Sequence, residues 1–390
     1  MKKVAIIGTG NISALHFKGL LTFPERAKIV ALVDIYPEKA EAKKEEYNLV
    51  DAQVFASHEE MLASGIEIDL VHNCTPPYVH ASISIDCMNK GINVVVEKPM
   101  ATCLQECDAM IEAQKKNNVI LSAIAQNRFQ DPVSKLKKLS DSGIAGRVRV
   151  AHVDSFWWRG HNYYDLWWRG LWEKEGGGPT LNHAVHHIDM LNWIQGELPQ
   201  EVTAVLSNVM HDNSEVEDLS FGILKYADGA LAQVTSSVVH HGEQQGITLQ
   251  CEKAKIASPF DVQAELAQGN GFPKTNTELI DEIKEKYNSI ENLQYYAHTA
   301  QVDDVLTALE NKTAPSITGE DGRKTVELIS AIYKSGCEKQ TVALPLEPND
   351  PWYTFDGILE NAIRFYKKTG YVENFSPAQI SVGRYERDAK

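Results

Sequence analysis

A chain of 390 residues with 53 acidic against 38 basic side chains carries a formal charge of −15, which excludes a general affinity for nucleic acid or anionic membrane, since both need basic surface. Hydrophobic residues make up 43% and charged residues 23%, so the chain is ordinary globular protein, and its length calls for two domains. No apolar run reaches the ~18 residues of a membrane span, and a strand-like run follows Met1-Lys2-Lys3 directly, so neither a spanning helix nor a signal peptide is expected and the expected compartment is the cytoplasm.

The first third alternates strand and helix. Lys3–Gly8, Lys28–Asp34, Asp69–Asn73, Ile92–Val96 and Val119–Ala125 read as buried strands. Helical patterns at Ile12–Leu21, Pro37–Tyr47, Val79–Asn89 and Leu104–Lys116 lie between them. Continuous apolar strands separated by helices predict a doubly wound parallel sheet, a Rossmann-type α/β domain over 1–125, with its ligand at the carboxyl ends of the strands. After residue 126 the rhythm changes. Arg147–Trp158, Glu201–Val209, Leu219–Tyr226, Leu231–Val239 and Ile247–Glu252 alternate in polarity, which predicts an α+β domain over 126–345 with a large open, mostly antiparallel sheet. One helix is expected over Thr180–Gln195, and further ones at Gln294–Leu309 and Gly319–Ser335. Residues 346–390 form an extension with an amphipathic stretch near Gly357–Tyr366, expected on the surface or on a neighbouring subunit. The six cysteines sit at unrelated spacings and read as reduced packing residues.

Gly8-Thr9-Gly10-Asn11-Ile12-Ser13 lies between a strand and a helix, the context in which such a turn cradles a pyrophosphate. Gly8 allows the tight turn, Gly10 lets the backbone approach the phosphates, and the helix start offers free N–H groups. Asp34 ends the second strand, where a carboxylate can bind both ribose hydroxyls of an adenosine and repel a 2′-phosphate. With Ile35 and Tyr36 following and no arginine, NAD is expected rather than NADP. Glu97-Lys98-Pro99 ends a later strand. A lysine at that crest can take or give a hydroxyl proton while hydride moves at the nicotinamide, and Glu97 either touches the cofactor or holds Lys98.

In their joint order these segments resemble the glucose-fructose oxidoreductase / inositol dehydrogenase / rhizopine catabolism family, Gfo/Idh/MocA. The matching residues are Gly8–Ser13, Asp34, Cys74-Thr75-Pro76-Pro77 with His80, Glu97-Lys98-Pro99, Gln126-Asn127-Arg128-Phe129, and Gly176-Gly177-Gly178 leading to Leu181–Asp189. The resemblance spans residues 1 to about 346. It implies a nicotinamide cofactor held by Gly8, Gly10, Asn11, Ile12, Asp34, Thr75, Pro76, His80, Glu97, Lys98, Gln126, Trp168 and Arg169. It implies a sugar, sugar derivative or cyclitol as substrate, approached by Asn127 and Arg128, and a homodimer or homotetramer. It carries a catalytic histidine onto His186, and places Asn182 where many members have an aspartate. Lys98 and His186 are therefore expected to share the proton work, with Asn182 binding a substrate hydroxyl.

On a single helix Asn182, His186, Asp189 and Trp193 would form one polar stripe. His183 and His187, one turn apart, could hold zinc only with a further ligand such as Asp189, His240 or His241; a sugar-binding role is the reading taken, and no metal is assigned. The segment Phe156–Trp172 holds five of the seven tryptophans with Tyr163 among them. Its mix of aromatic faces with Arg, Asn and Asp suits a sugar, or alternatively a hinge or subunit contact. The function expected is NAD-dependent hydride transfer at a secondary alcohol of a sugar or cyclitol. The alternatives are redox-neutral cleavage of a glycoside through a transient keto-sugar, and a non-catalytic nucleotide-binding regulator.

Overall fold

The computed structural model describes residues 1–373. The chain divides into two compact units, Met1–Phe129 with Gln294–Val326, and Gln130–Leu293 with the residues from Glu327 onward. The first unit is a six-stranded parallel sheet of β1 (Lys2–Ile7), β2 (Ala27–Val33), β3 (Gln53–Phe55), β4 (Leu70–Asn73), β5 (Asn93–Val96) and β6 (Leu121–Ala123) in the order β3-β2-β1-β4-β5-β6. The strands are apolar on both sides because helices cover both faces, as the sequence pattern predicts. β3 is the strand that the pattern misses: three residues are too short to show a period.

The first boundary falls at Phe129, close to the expected 126, but the expectation that 126–345 is one continuous domain is corrected by the helix Ala297–Asn311. Its Val302, Val305 and Leu306 share one core with Val4, Ile6, Leu32 and Leu70 of the sheet and with Phe17 and Leu20 of the helix Ser13–Leu21. Gln301 accepts from the amide of Ala125 at 3.1 Å and donates to the carbonyl of Ala123 at 2.8 Å. Burying each large aliphatic side chain contributes about 1.5–3 kcal/mol, so the later segment completes the first core. It belongs to the nucleotide unit.

The second unit carries β7 (Val148–Phe156), β8 (Glu201–Ser207), β9 (Leu219–Lys225), β10 (Leu231–Ser237), β11 (Gln245–Cys251), β12 (Lys255–Ser258) and β13 (Asp261–Gln263). After the small hairpin of β14 (Glu265–Ala267) and β15 (Pro273–Thr275) comes β16 (Val342–Ala343). The eight-stranded sheet runs β13-β12-β11-β7-β10-β9-β8-β16. It is mostly antiparallel, but β7 and β10 pair in parallel. One face buries Ala151, Val153, Leu224, Val234, Ile247 and Leu249, while Val205, Phe221 and Ile223 on the other face stay exposed. The pattern also missed the helices Asp131–Asp141 and Thr277–Ser289.

The predicted helix over Thr180–Gln195 is two helices, Pro179–Asn182 and Val185–Gln195. The amide of Ala184 bonds back five residues to the carbonyl of Pro179 at 2.8 Å, and the ladder restarts from Ala184. The extension was expected on the surface or on another subunit. Its described part folds onto its own unit: a helix at Phe355–Asn361, then a strap whose Val372 bridges Leu166 in parallel fashion. Residues 374–390 lie outside the described residues.

Candidate active site

In the first unit the sheet order sets five chain segments side by side along one rim. Asp34 follows β2, Gly8 to Ile12 follow β1, Cys74-Thr75-Pro76 follows β4, Glu97-Lys98-Pro99 follows β5, and Gln126 comes shortly after β6. Gly8 has φ +87°, and a Cβ there would stand 2.8 Å from the carbonyl oxygen of Cys74. Around the Cβ position of Gly10 nothing lies within 4 Å; the space above the turn is open, as a pyrophosphate requires. Ser13 fits where a third glycine is usual because its hydroxyl donates to the carbonyl of Gly10 at 2.6 Å and closes the turn. Asp34 accepts at one oxygen from the amide and hydroxyl of Thr9, at 2.8 and 2.7 Å, and at the other from the amide of Tyr36 at 3.0 Å. A carboxylate has about four acceptor positions, so one remains for a ribose hydroxyl. The side-chain oxygen of Gln126 is buried without a hydrogen-bond partner among the described residues. These features fit a dinucleotide.

Behind Lys98 lies a buried polar chain. The second oxygen of Glu97 accepts the amide of Lys98 at 3.1 Å. Its first oxygen accepts from His16 Nε2 at 2.9 Å and His298 Nε2 at 3.4 Å, and His16 Nδ1 lies 2.8 Å from His72 Nδ1. With neutral rings the network allows one assignment: His16 donates through Nε2 and accepts at Nδ1 from His72, which leaves His72 Nε2 bare. That nitrogen is the buried one with no partner among the described residues. Burial alone would raise the Glu97 carboxyl, but the hydrogen bonds from His16 and His298 hold it well below the usual carboxylate range. Burial, with the neighbouring histidines, drives His72 well below its usual value. The ligand atoms of His16, Glu97 and His298 lie within 4.8 Å of one another, the makings of a two-histidine, one-carboxylate metal site. The hydrogen bonds already satisfy the carboxylate, so the cluster explains itself as a support for the Lys98 turn.

Two residues expected at ligands are engaged within the protein. His80 is buried, with Nδ1 2.8 Å from the carbonyl of Pro99 and Nε2 2.7 Å from that of Thr75. It ties the turns after β4 and β5 together, with both ring nitrogens against backbone carbonyls. Arg128, also buried, pairs at 3.3 Å with Asp321 near the start of the helix Gly319–Glu338; Asn127 beside it is buried as well. Arg128 reads as a structural cation.

In the second unit Glu217 organises the triple-glycine turn. It is fully buried and accepts from the amides of Gly178 at 3.1 Å and Thr180 at 3.0 Å and from the hydroxyl of Tyr333 at 3.0 Å. Burial pushes its carboxyl up to about 7. Asn182 donates through Nδ2 to the carbonyls of Gly177 at 2.8 Å and Gly178 at 3.3 Å, so its nitrogen end fastens the turn. The expected stripe is therefore partial. His186 and Trp193 are half-buried, but His183, His187 and Asp189 are buried. Both ring nitrogens of His187 lack a hydrogen-bond partner among the described residues, and burial lowers it to about 4. His187 is a core imidazole and not a sugar-binding one. The rings of Trp157 and Tyr163 meet that of His183 at 5.5 and 5.9 Å. Arg169 sits 4.2 Å over both Tyr163 and Trp168 and pairs with Glu175 at 2.9 Å.

Residues 2–124 match the profile described as "Oxidoreductase family, NAD-binding Rossmann fold", and residues 133–257 match "GFO/IDH/MocA C-terminal domain". The chain belongs to the Gfo/Idh/MocA family. Among relatives in this family, a 2,7-anhydro-N-acetylneuraminate hydratase of Mediterraneibacter gnavus is 29% identical over 65% of this chain and 66% of its own length. A myo-inositol 2-dehydrogenase of Thermotoga maritima is 26% identical over 88% of this chain and 98% of its own. The WlbA dehydrogenase of Bordetella pertussis, solved with NADH and UDP-GlcNAcA, superposes with a TM-score of 0.77 at 27% identity, covering 89% of this chain and 98% of that one. The family's first unit is thus an NAD-binding Rossmann domain, and no helix among the described residues is long and apolar enough to cross a membrane.

Sequence reasoning missed His16, His72, His298, Glu217 and Glu175. His16 left a faint signal as a histidine on the same helix face as Phe17 and Leu20, the face that enters the core. His298 left none, because its partner Glu97 is 201 residues away.

Proposed function

We propose that this chain is an NAD-dependent dehydrogenase acting on a secondary alcohol of a sugar, sugar derivative or cyclitol. The observation that carries the reading is the strand order: one rim of the first unit lines up the open Gly10 turn, Asp34 and the Lys98 crest. NAD would be held by the Gly8–Ile12 turn, Asp34, Thr75, Pro76 and Gln126, and when bound it supplies the hydride acceptor. Lys98 takes the hydroxyl proton, fixed by the Glu97–His16–His298 network behind its own amide. His186, on the helix that follows the turn fastened by Glu217 and Asn182, is the second proton-handling group. Tyr163 offers an aromatic face to a hydroxyl-rich ring, and Trp168 and Arg169, on the same loop, are the pair that the resemblance assigns to the cofactor. The carboxylate of Asp34 favours NAD over NADP by charge.

The likeness to a hydratase supports a second reading on the same machinery, in which the sugar is oxidised transiently and reduced again without net NADH. One assay separates the two. Purified protein is mixed with NAD and a panel of aldoses, sugar acids, glycosides, anhydro-sugars, nucleotide-linked uronic acids and cyclitols. NADH is followed by its near-ultraviolet absorbance, and products are followed by chromatography. Rising absorbance with one sugar class supports the dehydrogenase; a consumed sugar with a flat trace supports the redox-neutral route. The Lys98→Met variant is expected to abolish turnover in either case while retaining NADH binding by fluorescence titration. Full turnover in that variant removes the role given to Lys98.

A further inference from the structure

The described end of the chain crosses the aromatic segment at several points. The indole of Trp172 donates to the carbonyl of Ile363 at 3.0 Å, and the amide of Phe365 donates to that of Glu215 at 2.9 Å. Val372 donates its amide to Asp165 at 2.7 Å and accepts from that of Trp167 at 3.1 Å. Between these anchors Lys368 reaches inward. Its ammonium donates to the carbonyl of Tyr164, to that of Leu166 at 2.6 Å and to that of Arg169 at 2.8 Å. An ammonium has three donors. Here three carbonyls of one loop saturate all of them.

Three carbonyl dipoles aimed at one point repel one another unless a cation occupies that point. The shape of the 164–169 loop therefore depends on a charge brought in from the far end of the chain. The same loop presents the groups read above as ligand-facing, Tyr163 toward the sugar and Trp168 with Arg169 toward the cofactor: Arg169 lies over the rings of Tyr163 and Trp168 and is held by Glu175, whose other oxygen accepts the amide of Gly170 at 2.6 Å. Glu175 fixes the guanidinium end of this assembly, and Lys368 fixes its backbone.

We propose that Lys368 is a positioning residue for the substrate site, its ammonium acting as the internal cation around which the Tyr163–Arg169 loop takes its working shape. The substrate-facing role of that loop rests on the proposed function, whereas the cage itself stands on the geometry alone. The C-terminal strap thereby becomes part of what determines which sugars are accepted.

Hydrogen–deuterium exchange on the full chain tests the cage. In Lys368→Ala the amides of residues 163–170 are expected to exchange about tenfold faster than in the wild type, while strands of the same unit stay protected. Propylammonium, the fragment that this substitution deletes, is expected to restore protection at concentrations on the order of tens of millimolar. In Lys368→Met the same space is filled by an uncharged chain, so the loop loosens and propylammonium does not restore it. Lys367→Ala, at an exposed neighbour, serves as the unchanged control. With the panel sugar that the wild type oxidises fastest, Lys368→Ala is expected to raise KM about tenfold with kcat changed far less, and propylammonium to reverse the rise. Unchanged exchange in the loop overturns the proposal, and so does a loosened loop with an unchanged KM. If the wild type oxidises no panel sugar, the functional reading fails on that assay, and the exchange and rescue results alone decide the cage.

Discussion

At position 182 an aspartate would set a carboxylate oxygen where Nδ2 of Asn182 now donates to the carbonyls of Gly177 and Gly178. Oxygen would face oxygen, so this chain uses the residue that can donate. Asn182→Asp is expected to lower stability by about 1–3 kcal/mol at neutral pH, more than Asn182→Ala, which leaves the carbonyls to water. Urea unfolding followed by tryptophan fluorescence reads this directly, because all seven tryptophans lie in the second unit. Equal loss in the two variants would remove the argument. His187 allows a test of sign. Its folded value of about 4 lies below the ordinary one near 6.5, so the unfolded chain binds the proton first as pH falls. The contribution is full above the unfolded value and is lost between roughly pH 6.5 and 4, reaching about 2 kcal/mol at pH 5. His187→Leu should therefore gain on the wild type by about that amount between pH 7.5 and 5; parallel pH profiles would show that the imidazole is already charged or solvated.

Among the elements, the helix Ala297–Asn311 lends Val302, Val305 and Leu306 to the core of the parallel sheet. Leu306 is fully buried in the sheet core, and Leu306→Ala is expected to cost about 2–5 kcal/mol, seen as earlier loss of NADH binding in a urea titration. No shift in that midpoint would mean that the helix is dispensable to the nucleotide unit. This helix was visible in the sequence as an element, yet its destination was not. Periodicity reports which face of a segment is apolar, and says nothing of which distant surface covers that face. The same limit explains the site. Gly8, Gly10, Asp34 and Lys98 were legible because turns and strand ends are local. Glu217, which caps a helix from 37 residues away, and His298, 201 residues from Glu97, depend on tertiary pairing. His80 and Arg128 were legible as polar residues near a ligand rim, but their partners Pro99, Thr75 and Asp321 had to be seen before they read as struts. The stripe on Thr180–Gln195 failed for another reason: the ladder slips at Ala184, so spacing counted across the break no longer measures a face.

For the whole molecule, the division at residue 129 and the return at residue 294 define what a self-sufficient nucleotide unit must contain. Met1–Phe129 alone lacks Val302, Val305 and Leu306 of its core and is expected to stay partly unfolded by circular dichroism and fail to bind NADH. The same segment joined by a flexible linker to Gln294–Val326 is expected to fold and bind NADH. Tight binding by the short fragment would contradict the core as described. Neither unit is continuous, and this has a consequence for how the protein is made. When residue 129 leaves the ribosome, about 200 residues must still be synthesised before the covering helix is complete, a wait of about 10–40 s at ordinary elongation rates. The second unit waits in turn for Glu327 onward and for the strap. Both cores therefore close near the end of synthesis, within moments of each other, and a truncated nascent chain releases two unfinished apolar surfaces instead of one finished domain.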